Sequence, residues 1–457
     1  MKRINTKERP DYINIVNSQG LVYTHEDPAA NPMLYRYWRE NAYYSFTSDE
    51  ILMLERAASA VFEMCVEAGE WLLSDEGRPY LRRFDIPVYA MKAVIDSWNE
   101  EDSEGNSFGS IYGRFDFRFG GLNHPDAAMR VPMLYEFNAD TPTSLVESTI
   151  QWSWLENTGH GNDQFNALQG RLVDAWRRNL QHIEAKLGYK PVVYFACTNG
   201  DESHEDEMNT MLMLTTCQLA GYETATIYTE NLWIGEDGRY YNNPECEKHL
   251  DVVFKLFPWE HMAHEDTSRD LFADMENSGY GNTPYQGGTI WIEPPYKMLW
   301  STKAILPVLW KLFGADPERS KYLIPSWFAD EKSVASGDLK KGYALKPILS
   351  REGANITLVL PNGDKVEGER QGYGDEGFIV QQLALPPKFF RQDEDIDVHT
   401  VLGVWMVDGE PAGMGIRESA GPITDNFANF VPHSIVDGPV TYELTPPSVP
   451  ALANSSN

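Results

Sequence analysis

Hydrophobic and polar positions along the chain follow a helical period first and a strand period later. Over residues 1 to about 100 the helical period dominates. Thr47 and Glu50 form a capping box, and Ile51, Leu54, Ala58, Val61, Phe62, Cys65, Ala68 and Leu72 then recur on one face. From Arg114 the period drops to two, and RFDFRFG sets Arg114, Asp116 and Arg118 on one side of a strand. VPMLYEFNAD repeats the pattern with Glu136 and Asn138, and Thr141, Thr143 and Ser144 then stand where hydroxyls cap a helix running through Trp152 and Trp154. PVVYFACT, a helix from about Glu205 to Leu219, TATIYT and LDVVFKLF read as a small α/β layer with parallel strands. A strand then turns through Pro294-Pro295 into a helix rich in Leu and Trp. YALKP and ITLVL flank a polar tip, and FIVQQLALPP precedes a long hairpin turning near Asp408-Gly409. The pattern predicts a mixed α+β and α/β chain divided at about 1–100, 101–189, 190–290 and 291–440, with a Pro- and Ser-rich mobile tail over 441–457.

Composition narrows the class of partner. The formal charge of −30, from 68 acidic against 38 basic residues, repels nucleic acid and anionic membrane and attracts cationic ligands such as polyamines; solubility alone also favours such a charge. The polar start MKRINTKERPDYIN carries no apolar signal segment, and no run of about eighteen apolar residues occurs. Cys65, Cys197, Cys217 and Cys246 stand far apart with no CxxC pair, which fits reduced thiols in a cytoplasmic protein and argues against a zinc site.

Three clusters carry candidate chemistry. The tip Ser350-Arg351-Glu352-Gly353-Ala354-Asn355, beside Lys346, holds cations, hydroxyls and backbone N–H groups suited to closing over phosphate; an ordinary polar hairpin has the same composition. If the RFD and EFN strands are neighbours, Asp116, Glu136 and Asn138 share a sheet face beside Arg114. That oxygen set suits Mg²⁺ shared with nucleotide phosphates, and an exposed salt-bridged sheet face has the same residues. The loop with Asp201, Glu202, Glu205, Asp206 and Glu207 lies at the ligand edge of an α/β layer, where carboxylates hold an amine; the helix dipole also favours acids there. Lys297 and Lys303 lie near the start of the Leu- and Trp-rich helix, within reach of phosphate or of solvent. No GxxxxGK[ST] loop, GxSxG elbow, HExxH helix or GxGxxG fingerprint is found, and the remaining parts suit phosphoryl transfer.

The blocks RFD (114–116), YEFNADTPTSLVE (135–147), WIEPPYKMLWSTKAILPVLWKLF (291–313), YALKPILSREGANI (343–356) and GVWMVDGEPAGMGIRE with ITDN and FVPH (403–433) occur in one order. In these blocks the chain resembles the synthetase domain of the glutathionylspermidine synthase family. The resemblance implies an ATP-grasp-like ligase fold with a pre-ATP-grasp-like α/β substrate subdomain, and an ATP- and Mg²⁺-dependent amide-forming activity through an acyl phosphate. It places Asp116, Glu136 and Asn138 on magnesium, and Arg114 on the acyl substrate and phosphate. Lys303, Lys346, Ser350, Arg351, Gly353, Asn355, Gln381, Gln382 and Leu383 are placed on ATP, and Arg417 on the transferring phosphoryl group. Thr143 and Ser144 fall where a thiol-tripeptide substrate is held, and Glu205 and Asp206 where a polyamine is. Leu256 departs from the pattern at a position aligned with a hydroxyl residue, and the amidase of bifunctional members has no room before residue 114. Two other readings compete: a relative that binds a polyamine or peptide without ligating it, and a carbohydrate hydrolase suggested by 13 tryptophans and many carboxylates.

Overall fold

The RFD and EFN strands are neighbours. In the computed structural model, which describes residues 1–22, 37–102, 105, 108–199, 203–331, 337–425 and 427–437, Tyr112–Arg118 pairs antiparallel with Met133–Asn138, Arg114 opposite Asn138 and Asp116 opposite Glu136. The long strand Ile396–Val407 lies on the other side of Tyr112–Arg118 and forms a hairpin with Glu410–Ser419. Asn429–Phe430 and Lys388–Arg391 complete this six-stranded sheet. Every residue of Tyr112–Arg118 is buried, because helices Leu145–Thr158 and Leu168–Leu187 pack against the adjoining hairpin while strands cover both of its edges.

A second sheet of five antiparallel strands carries the lysine strand Tyr343–Pro347 between Thr357–Val359 and Phe378–Gln382. Pro347 sits at its exit, paired on one side only, as a residue without an N–H requires. A third sheet is parallel: Ile290–Ile292, Val252–Lys255, Val192–Cys197 and Glu223–Tyr228, with helix Glu205–Leu219 as the crossover between the last two. Its C-terminal edge carries the loops at which an open α/β layer is expected to bind a ligand.

The first hundred residues are not helical throughout. The helix Ser48–Leu73 has the expected Thr47–Glu50 capping box, but Lys2–Asn5 and Ala42–Phe46 are strands, joined in a small sheet to His433–Ile435. Tyr43 and Tyr44 thus pack from a strand. One of its two partners, His433–Ile435, lies almost the whole chain away, so no local period announces that pairing. The expected mobile tail, 441–457, lies outside the described residues, as do Asp201, Glu202 and Asn426. One buried apolar cluster extends from Tyr12 to Ile435 and contains the fully buried Trp38, Trp154, Trp176, Trp259, Trp291 and Trp405. Packing therefore accounts for these tryptophans, and the four cysteines are free.

Candidate active site

Strand register brings the charges together. Asp116 is the hub: its Oδ1 accepts from Arg114 Nε at 2.8 Å, and its Oδ2 accepts from Arg417 Nη2 at 2.6 Å and from Asn138 Nδ2 at 3.4 Å. Arg417 reaches it from the far strand of the long hairpin, across Gly403, which stands opposite Asp116. A side chain at Gly403 would put its Cβ 2.8 Å from Arg114 Cδ, so the glycine is what admits the arginine. Arg114 also donates to the carbonyl of Thr143.

Glu136 lies beside this hub and faces two lysines. Lys303 Nζ is 3.1 Å from Glu136 Oε2, and it donates to the carbonyl of Ser350 at 2.6 Å. Burial by itself would raise the Glu136 carboxyl; Lys303 and Lys346 outweigh it and hold the group well below the usual carboxylate range. Lys346 donates to Gln381 Oε1 at 2.7 Å, and burial, partly offset by Glu136, pushes its ammonium down to about 8. Lys297, the other lysine of that stretch, is buried, donates to the carbonyls of Tyr112 and Ala139 and pairs with Glu293 at 3.1 Å, so it is engaged within the core.

Most of these groups, Lys297 and Lys303 excepted, line one cleft of ≈ 430 Å³ where the three sheets meet. Arg114, Asp116, Glu136, Asn138, Lys346 and Arg417 form its floor, and Arg351 and Gly353 belong to the hairpin tip expected to act as a lid over phosphate. Gln381, Gln382 and Leu383 border an apolar slot with Ala344, Leu358 and Val401. At the far end Thr143, Glu205, Asp206 and Leu256 face the same space. Burial, the charge of Glu147 and the neighbouring acids push Glu205 up to about 8 despite a hydrogen bond from Thr143. Gly353 has φ +72°, and a Cβ there would lie 2.6 Å from Ile423, so the lid turn needs glycine.

Several expected residues line an adjoining cavity or are engaged by other side chains. Lys303 and Ser350 line a smaller adjoining cavity of ≈ 20 Å³. Asn355 is turned into the hairpin, donating to the carbonyls of Gln371 and Tyr373 and accepting from the Gln371 N–H, so it staples the lid. Ser144 occupies the N-cap of Leu145–Thr158 at φ +69° without a side-chain cap bond; the Leu145 N–H is instead taken by Asn209 Oδ1 of another helix at 3.0 Å. The hydroxyl cap expected from ADTPTS is thus replaced by a distant amide, which no local pattern reveals. Arg351 is engaged by Glu260 and Thr141. Glu260, in the segment FKLFPWE, carried no expectation, and its only local signal is an acid directly after a fully buried Trp259.

Donor chemistry fits a nucleotide and its metal. The apolar slot suits a purine and the lysines suit phosphate oxygens. Asp116, Glu136 and Asn138 are all oxygen donors, and among the described residues no cluster of three or more His, Cys, Asp or Glu forms a self-sufficient metal cage. A Mg²⁺ held here would therefore share its shell with phosphates, the usual arrangement for that ion.

The relatives that the chain matches place it in the class of ATP-dependent, amide-forming ligases. Within that class, the chain belongs to the family described as "Glutathionylspermidine synthase preATP-grasp", whose profile matches residues 3–436. A putative acid–amine ligase of Haemophilus influenzae is 28% identical over 451 residues, covering 95% of this chain and 100% of that protein. A trypanothione synthetase of Crithidia fasciculata is 26% identical over 85% of this chain and 56% of its own length. The bifunctional glutathionylspermidine synthetase/amidase of Escherichia coli is 26% identical over 76% of this chain and 52% of its own length. The chain thus spans the whole of the first relative and about half of the other two. Among solved structures, a glutathione synthetase-like effector of Globodera pallida aligns with TM-score 0.50 at 11% identity, covering 94% of this chain and 98% of that one, a likeness of fold. Among the described residues no helix is long and apolar enough to cross a membrane.

Proposed function

We propose that this protein uses ATP and Mg²⁺ to join a peptide carboxylate to a polyamine or similar cationic amine. The observation that carries the reading is the single cleft in which Arg114, Lys346 and Arg417 face Glu205 and Asp206. One end is cationic and suits phosphates and a carboxylate; the other is acidic and suits an ammonium group. A carboxylate oxygen attacks the γ-phosphorus of ATP, the bond to the β-γ bridging oxygen breaks and ADP leaves. The amine nitrogen then attacks the acyl carbon, the bond to the phosphate oxygen breaks, and phosphate leaves as the nitrogen loses its proton. Mg²⁺ on Asp116, Glu136 and Asn138 supplies charge neutralisation when bound. Arg417 and Lys346 sit where charge develops, Arg114 orients the acid, and Glu205 with Asp206 orients the amine.

The test is an ADP-release screen of glutathione, short peptides and other carboxylates against polyamines and amino acids, with products read by mass. ADP is expected only when both an acid and an amine are present. Arg417→Ala should lower turnover by about 100-fold or more with nucleotide binding retained. Undiminished ADP formation in that variant, or ADP formation needing no amine, counts against the reading.

A further inference from the structure

The lid hairpin is tied down from outside its own sheet. Arg351 at its tip donates from Nε and Nη2 to Glu260 Oε1, at 3.2 and 2.8 Å, and from Nη1 to Thr141 Oγ1 at 3.0 Å. Glu260 belongs to the α/β layer and Thr141 to the loop after the EFN strand, so one guanidinium joins three parts of the molecule.

The mount under Glu260 is stiff. Trp259 is fully buried; its indole donates to the Glu293 carbonyl at 3.0 Å and its backbone N–H to Asp140 Oδ2 at 2.7 Å. Asp140 Oδ1 is held by Lys255 Nζ at 2.6 Å, both side chains being 0% exposed. Asp140 follows Asn138 by two residues, so the mount is bonded to the chain directly beyond the floor of the cleft. Glu260 also shares the ≈ 20 Å³ cavity with Glu136, Lys303, Ser350 and Arg351, which puts the tie beside Lys303.

We propose that Glu260 is a positioning residue that latches the lid through Arg351, so that ATP cleavage is coupled to amide formation. The latch rests on the contacts above, and its catalytic consequence rests on the ligase reading. Paired with Glu260, Arg351 serves closure, and the phosphate charge falls to Lys303, Lys346 and Arg417. An acyl phosphate under an unlatched lid meets water. Water oxygen then attacks the acyl carbon, the bond to the phosphate oxygen breaks, and the carboxylate is regenerated, so that ATP is spent without an amide.

Two measurements on the intact protein test this. Hydrogen–deuterium exchange of the ligand-free protein should show the backbone of 349–356 exchanging at least ~5-fold faster in Glu260→Gln than in wild type, with the central sheet unchanged. In the substrate screen, the ratio of amide to ADP should fall at least ~3-fold in Glu260→Gln and Glu260→Ala, with partial recovery in Glu260→Asp and the KM for ATP little changed. Unchanged lid exchange, or an unchanged ratio in both variants, overturns the latch. A wild-type protein that makes no ADP with any acid–amine pair overturns the ligase reading instead, and the exchange measurement then decides the latch by itself.

Discussion

Burial moves the titration of two side chains in the cleft, and each shift has a measurable consequence. Glu205 is held up at about 8 against an ordinary 4.5. Between those values the unfolded chain releases the proton and the folded protein keeps it, so folding stability falls as pH rises through the window. Glu205→Gln removes that penalty. Its gain in Tm should be larger at about pH 8 than at about pH 5, and a cationic amine should produce a similar pH-dependent gain in the wild type. Equal gains at both pH values sink the assignment. Lys346 is the mirror case, since its ammonium loses its charge as pH rises through about 8. Nucleotide Kd, measured calorimetrically, should rise by up to ~10-fold between about pH 8 and 9. That dependence should vanish in Lys346→Arg, whose guanidinium stays charged.

Elements hold these side chains through contacts that local patterns disclose only in part. The two-residue period of RFDFRFG and EFN was enough to expect Asp116, Glu136 and Asn138 on one face, and the register Asp116 to Glu136 is the form that expectation takes. The hairpin around Gly353 was legible from that glycine and its flanking strands. What the pattern did not carry is non-local: Asn209 capping Leu145–Thr158, Asp140 bonded to Lys255 and Trp259, and Glu260 on Arg351. Each joins residues far apart in the chain through side chains common in loops, so spacing holds no trace of them. The Asp140–Lys255 pair is the firmest of these joints. Asp140→Asn leaves Lys255 buried with a weakened partner, and the loss of a buried partner costs about 3–5 kcal/mol. A fall of that order in unfolding free energy from urea titration is expected, together with lid loosening like that of Glu260→Gln. Stability within about 0.5 kcal/mol of wild type would show the pair to be dispensable.

At the scale of the whole molecule, burial is unevenly shared. The cluster running from Tyr12 to Ile435 takes Phe328, Ile348 and Ile379 from the five-stranded lid sheet and its exit, whereas Ala344, Leu358 and Val380 are buried outside it. Ala344 and Leu358 face the cleft, so the sheet's inner side is completed by whatever fills the apolar slot. The parallel layer is better anchored, with Val193, Phe195, Val252 and Phe254 in the shared cluster. A sheet with fewer contacts in the common core opens at lower free energy than the rest. Exchange over 343–382 should therefore be faster than in the six-stranded sheet or the parallel layer of the ligand-free protein and slow most on adding a non-hydrolysable ATP analogue. Ligand that binds only the closed form stabilises it by mass action, so the protection should grow with analogue concentration. Protection spread evenly over all sheets would mean that the lid sheet is no separate unit. Protection confined to the parallel layer would place the nucleotide on the wrong side of the cleft.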